Sequence, residues 1–218
     1  MALALNALKV LLPHLKGEVL SLGYPDLLVS KESIQEMFGY MPSKFTNANK
    51  WHGFKDPLPD TEELFDHLGV KLTVVDFTKD RGMETIADLN YPQELGKFDL
   101  VIDPGTLEHC FNIAQAFVNA AASVKVGGRI FHLSPMTMIN HGFYNLCPTL
   151  FYDFYTQNGW EIESLMVIPC SALEFKVTER FTTVSEHMIR ALVRRQTDEE
   201  LKMPIQQKYL RKIQARLK

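Results

Sequence analysis

The chain has 218 residues, 46% of them hydrophobic and 22% charged, with a formal net charge of −3. These values suit one α/β domain with a sizeable core, and the net charge of the whole molecule does not point to nucleic acid. Three distant cysteines (Cys110, Cys147, Cys170) without a C-x-x-C pair suggest neither a zinc site nor a disulfide framework.

In chain order, residues 4–15 predict an amphipathic opening helix with Leu5, Leu8, Leu11 and Leu12 on its apolar face, ended by Gly17. The apolar N-terminus is broken by Lys9 and followed by no cleavage pattern, so it does not read as a signal peptide. No stretch reaches membrane-spanning length, and the expected location is the cytoplasm. Residues 19–22 predict the first strand, stopped at Gly23-Tyr24-Pro25. A short helix over 32–38 follows. Residues 39–59 (GYMPSKFTNANKWHGFKDPLP) are aromatic, basic and rich in turn formers, the composition of a lid or binding loop. In that loop Trp51 and His52 are candidates to touch a substrate. Asp60-Thr-Glu-Glu63 is a capping-box pattern that opens a helix to His67. Residues 71–75 then predict the second strand, with Asp76 and Phe77 directly after it. An acid at the end of a second parallel strand is the group a Rossmann-like site uses to hold ribose hydroxyls.

Residues 97–133 organise the rest. Phe98–Ile102 (FDLVI) reads as a buried strand broken at Asp103-Pro104-Gly105. Ile113, Ala114, Phe117, Val118 and Ala121 share one helical face, and Gly127-Gly128 separates that helix from a further strand, RIFHL. A βαβ crossover of this kind puts the loop at 103–105 on the carboxyl edge of a parallel sheet, where such sheets bind ligands. After it come a loop with Asn140-His141-Gly142-Phe143-Tyr144, a helix opened by Pro148, a strand over 160–168 and a last strand over 187–194. The closing residues 202–218 carry six basic groups and no acid, with Ile205, Tyr209, Ile213 and Leu217 recurring every four residues, as in a basic amphipathic helix.

FDLVIDPGTLEH, a helix, then VKVGGRIFHL resembles the fourth and fifth motifs of class I S-adenosylmethionine-dependent methyltransferases. The resemblance covers roughly residues 19–196. It implies an α/β, Rossmann-like fold: a mostly parallel seven-stranded sheet with helices on both faces, its last strand inserted antiparallel. The whole chain, 1–218, is then expected to be one such domain, with a lid at 39–59 and the basic helix at 202–218. S-adenosyl-L-methionine is the implied cofactor, held by Gly23, Asp76, Phe77, Asp88, Leu89, Asp103 and Gly105. In the family the glycines after the first strand let the backbone approach the methionine part of the cofactor, and Asp88 lies near the adenine amine. This chain keeps only Gly23 of the G-x-G-x-G loop and has Ser21 at the usual acidic position.

The chemistry expected is methyl transfer to a small molecule or glycan at a hydroxyl. His141, oriented by Asn140, is the candidate base, with His109 next in line; Phe143 and Tyr144 are candidates to wall the acceptor. HGFYNLCPTLFYDFYTQNGW is similar to a segment of stand-alone methyltransferases of glycan and secondary-metabolite pathways. The alternative is a methyltransferase-like binding or scaffold protein without catalysis. A nicotinamide-dependent dehydrogenase would need G-x-G-x-x-G after the first strand. No metal site is expected, since no histidine or acid pair shows ligand spacing on one helix. A homodimer is possible, and nucleic acid is not the expected partner.

Overall fold

A computed structural model of the chain describes residues 2–47, 52, 55–138, 141–169, 175–176 and 187–204. Trp51 and Asn140 lie outside the described residues, as does most of the expected basic helix, 205–218.

The first elements are β1 (Ala2–Ala4), α1 (Leu5–Leu11), β2 (Glu18–Leu22), β3 (Asp26–Leu28), α2 (Lys31–Phe38), β4 (Phe45–Thr46) and β5 (Leu58–Pro59). They are followed by α3 (Thr61–His67), β6 (Lys71–Asp76), β7 (Thr85–Ile86), β8 (Phe98–Asp103), α4 (Ile113–Ala122), β9 (Val124–Pro135) and α5 (Pro148–Gln157). The chain closes on β10 (Glu161–Pro169), β11 (Phe175–Lys176) and β12 (His187–Arg194). The main sheet has the order β11-β10-β12-β9-β8-β2-β6-β7. From β9 to β7 every pairing is parallel; β12 is inserted antiparallel between β9 and β10. The expected seven strands are there, and the two-residue β11 adds an eighth at the edge.

Alternation along the central strands supplies both faces. In β8, Phe98 and Val101 enter a core completed by Phe117 of α4 and by Phe151 and Phe154 of α5. Leu100 and Ile102 enter the opposite core, with Leu8 and Leu11 of α1, Ile34 of α2 and Phe65 of α3. A strand buried on both sides needs the continuous apolar run that FDLVI supplies.

Local expectations fail where a tertiary contact outbids the pattern. The opening helix, predicted over 4–15, is α-helical only over 5–11: Ala4 pairs with β3 in parallel, and Leu12–His14, with Pro13, tighten into a 3-10 turn. Gly127-Gly128 does not separate α4 from the next strand: β9 begins at Val124 and runs through both glycines, and the β8–β9 register shifts between Phe98 and Leu100. A Cβ at Gly128 would lie 2.9 Å from the carbonyl oxygen of Asp99, so glycine permits that close crossing. The buried face of α4 is Ala116, Phe117, Ala120 and Ala121, and Ala114 is exposed. In α3, Asp60 caps the backbone N–H of Glu63 as expected, but the Glu63 carboxylate turns away and accepts from the backbone N–H groups of Ser43 and Lys44 at 2.9–3.1 Å. That contact, with the antiparallel pairing of β4 to β5, closes the base of the 39–59 segment.

Candidate cofactor and acceptor site

The loops after β2, β6, β7 and β8 all leave the carboxyl ends of parallel strands. After β6 and β7 they enclose a cavity of about 240 Å³, whose lining includes Asp76, Phe77, Asp88, Leu89, Thr106, His109 and Cys110. Asp76 spends Oδ1 on the backbone N–H groups of Phe77 (2.6 Å) and Thr78 (3.4 Å), and Oδ2 has no protein partner among the described residues. Asp88 is engaged locally: Oδ1 accepts from the backbone N–H of Asn90 at 3.0 Å and its side-chain amide at 2.7 Å.

Asparagines hold this loop in place, and none of them was singled out by sequence. Asn112 caps α4 and bonds Asn90 through both its backbone N–H (2.8 Å) and its side-chain amide (3.0 Å). Asn119 is buried and donates to the carbonyls of Leu89 (3.0 Å) and Tyr91 (2.8 Å). Asn119 stands opposite the face predicted from Ile113, Phe117 and Ala121, so no signal in the sequence marks it; burial then obliges it to find partners.

The other half of the edge is closed. Gly23, at φ +82°, donates to the carbonyl of Val75 (2.6 Å), and the hydroxyl of Ser21 donates to the Gly23 carbonyl (2.7 Å). Ser21 therefore tightens its own loop at the position where the resemblance expects an acid. Thr106 donates to the carbonyl of Leu22, and the backbone N–H of Ala2 to that of Pro104 at 3.2 Å. The loops after β2 and β8 are thus stitched together by β1 and Thr106. Gly23, Asp103 and Gly105 do not line the cavity.

Asp103 corrects its expected cofactor role. It is fully buried; Oδ1 accepts from the backbone N–H groups of Thr106 (2.9 Å) and Leu107 (3.3 Å), and Oδ2 lies 2.7 Å from Nδ1 of His132. Nε2 of His132 is 2.5 Å from the hydroxyl of Tyr155, also fully buried. This arrangement assigns the Nδ1–H tautomer to His132, with Tyr155 donating to Nε2. Burial, then the Asp103 charge, pushes the Tyr155 hydroxyl well above its ordinary range. The acid that follows the fourth parallel strand is committed to the interior.

At the mouth of the cavity stands a second cluster. Residues 107–109 form a 3-10 turn, separate from α4, which begins at Ile113. The Glu108 side chain is 0% exposed, and neither carboxyl oxygen has a hydrogen bond among the described residues. Burial, reinforced by the Asp103 carboxylate, pushes its pKa up to about 8. Nε2 of His141 lies 3.4 Å from Oε1 of Glu108 and Nε2 of His109 lies 4.0 Å away. The two imidazoles are 5.3 Å apart, centroid to centroid. Burial, then His141, lowers the His109 pKa. Burial, then Asp103, Asp88 and Glu108, pushes the Cys110 thiol up to about 11, a neutral group in the cavity wall.

The chain after His141 is pinned to Glu108. The backbone N–H groups of Phe143 (2.9 Å) and Tyr144 (3.3 Å) both donate to the Glu108 carbonyl. Phe143, 64% exposed, meets Phe111 edge-on at 5.5 Å, and the Tyr144 hydroxyl donates to the Phe111 carbonyl at 2.8 Å. His52 lies elsewhere: its Nε2 is 2.9 Å from the buried Asp26, which also accepts from Arg81 at 2.7 and 2.9 Å.

No protein-family model matches the sequence, and no curated protein matches it. Among solved structures the chain is similar to TehB from Haemophilus influenzae (11% identity over 87% of this chain and 60% of that one, TM-score 0.44). It is similar to a protein of the conversion of a disulfide bond into a thioacetal group during echinomycin biosynthesis (16%, 98% and 85%, TM-score 0.47). A third is the O-methyltransferase of a trans-AT PKS multienzyme of Brevibacillus brevis, solved with S-adenosyl-L-homocysteine (11%, 82% and 66%, TM-score 0.47). The chain therefore spans less than two thirds of the first and third of these proteins. The strand arrangement carries the weight: parallel strands on both sides of β2, and a last strand inserted antiparallel between β9 and β10. That arrangement, a mostly parallel sheet with its last strand inserted antiparallel, is the one the sequence resemblance to class I methyltransferases implies.

Proposed function

We propose that the protein transfers a methyl group from S-adenosylmethionine to a hydroxyl of a small molecule or glycan. The observation that supports this best is the cavity at the ends of β6 and β7, with Asp76 and Asp88 in its wall and the Glu108–His109–His141 cluster at its mouth. Asp76 accepts from ribose hydroxyls through Oδ2, and Asp88 and Leu89 face the adenine. At about 240 Å³ the cavity is smaller than the roughly 300–1,000 Å³ typical of pockets that take a whole ligand. It suits the adenosine part; the methionine part needs the loops after β2 and β8 to part.

The reaction is an in-line displacement in which the acceptor oxygen attacks the methyl carbon, the carbon–sulfur bond breaks and a neutral thioether leaves. Alignment supplies much of the rate, and one proton must be taken from the hydroxyl. His141, held over Glu108 by the bonds from residues 143 and 144, takes it, with His109, which lines the cavity, 5.3 Å away ring to ring. Phe143 and Tyr144 line the acceptor's approach.

Calorimetry with S-adenosylmethionine, S-adenosylhomocysteine and NAD tests this reading: the first two bind and NAD does not. With an acceptor in hand, His141→Ala lowers kcat by about 10²–10⁴-fold while cofactor affinity stays nearly unchanged. A second reading, a methyltransferase-like binding protein without catalysis, is favoured by the bonds that close the loops after β2 and β8. Failure of both S-adenosyl ligands to bind would select it.

A further inference from the structure

Glu108, His109 and His141 present one ligand atom each within 4.8 Å of one another. We propose that they bind a divalent transition-metal ion, of the zinc or iron(II) class, at the mouth of the cavity. The binding itself is independent of the methyltransferase reading.

Geometry makes the first argument. A tetrahedral ion with bonds of about 2.0–2.1 Å holds its ligand atoms about 3.4 Å apart. The Glu108–His141 separation is already 3.4 Å and the Glu108–His109 separation 4.0 Å. The side chains of His109 and His141 are 48% and 37% exposed, free enough to close the remaining gap by rotation.

The second argument is independent. Glu108 is fully buried, yet neither of its oxygens has a hydrogen bond among the described residues. Buried carboxylates are as a rule hydrogen-bonded, ion-paired or bound to a cation. The surroundings also leave room for it: a Cβ at Gly105 would come within 3.1 Å of Oε1, and one at Gly142 within 3.1 Å of Cγ. Gly142 further lets the backbone after His141 approach Glu108, where its own Cβ would lie 2.9 Å from the Glu108 carbonyl oxygen. Two glycines and two backbone hydrogen bonds thus bring together residues that sequence spacing keeps apart.

The donor set selects the ion. Two imidazoles and one carboxylate suit zinc or iron(II), whereas magnesium and calcium favour a shell of oxygens. Three protein ligands leave a position open. His109 is also part of the cavity lining, so an acceptor oxygen seated there comes within reach of that position. In the reaction proposed above, a hydroxyl bound to the ion gives up its proton more readily. The proton then passes to water as the methyl group leaves sulfonium sulfur for oxygen, and His141 serves as ligand in place of base.

The test uses the full-length protein, stripped by a chelator and titrated with Zn²⁺ by calorimetry and with Co²⁺ by visible absorption, without cofactor. One ion per chain is expected, with His109→Ala and His141→Ala each binding at least about tenfold more weakly and a His109→Ala/His141→Ala double variant not binding. Glu108→Gln is expected to behave likewise, with circular dichroism checking its fold; the two histidine variants alter exposed side chains and keep the test decisive if Glu108→Gln fails to fold. Equal affinity in the wild type and the double variant would overturn the site. So would an intense cobalt–thiolate band, which would assign binding to Cys110 or Cys147. A separate titration of the same sample with S-adenosylmethionine keeps the two readings apart: cofactor binding without zinc binding overturns the metal site alone.

Discussion

After β6 and β7 the chain leaves a cavity with Asp76 and Asp88 in its wall; after β2 and β8 it spends its polar groups on itself. In the first region a carboxylate oxygen of Asp76 has no protein partner among the described residues. In the second, Ser21, Thr106 and the backbone of Ala2 and Gly23 all bond within the protein, and Asp103 is turned wholly inward. Four loops at one sheet edge, all leaving parallel strands, have thus been put to two uses. An acid after a parallel strand serves a ligand only when its carboxylate is not already satisfied by the fold.

The contrast is broken most severely at Asp103. Asp103→Ala leaves His132 and two backbone N–H groups without their buried acceptor and is expected to cost about 3–5 kcal/mol of stability, read by denaturant unfolding. A loss below about 1 kcal/mol would mean that the carboxylate is not the interior anchor described here. Asp76→Ala is expected to do the opposite: stability within about 0.5 kcal/mol of wild type, but S-adenosylmethionine affinity weaker by about 1–3 kcal/mol. Unchanged affinity would remove Asp76 from the site.

Asn119→Ala sharpens the comparison from the side of the scaffold. It leaves the carbonyls of Leu89 and Tyr91 without their buried donor, and a loss of about 1–2 kcal/mol is expected, with faster amide exchange across residues 88–93. Exchange unchanged in that segment would show that α4 does not hold the loop. The smallest expected effect concerns the closed half. Methylthioadenosine, which lacks the amino-acid end, is expected to bind within about tenfold of S-adenosylhomocysteine, a difference of about 1.4 kcal/mol or less. A gap of a thousandfold would show that the loops after β2 and β8 open readily for the methionine part.

Much of the scaffold was legible from local pattern. FDLVI announces a strand buried on both faces and Asp60 announces the cap of α3, because each signal acts over a few residues and needs no distant partner. Asp76, the last residue of β6, and Asp88, two residues beyond β7, stand at the sheet edge because the ends of those strands place them there. Asp103 carried the same signal and was misread, since nothing nearby in sequence says that His132 will stand behind it. The helix face of α4 was misplaced by the same blindness, the pattern being right in period and wrong in phase.

By itself, the sequence determined the alternation of strands and helices, the crossover at residues 98–133 and the positions of acids after strands, all consequences of periodicity and of turn chemistry at short range. Tertiary structure alone decided which of those acids are satisfied internally, that β1 closes one half of the edge, and that His141 comes to Glu108. Those outcomes depend on contacts between residues tens of positions apart, and burial, which sets the energy of every unpaired carboxylate, exists only once the chain has packed.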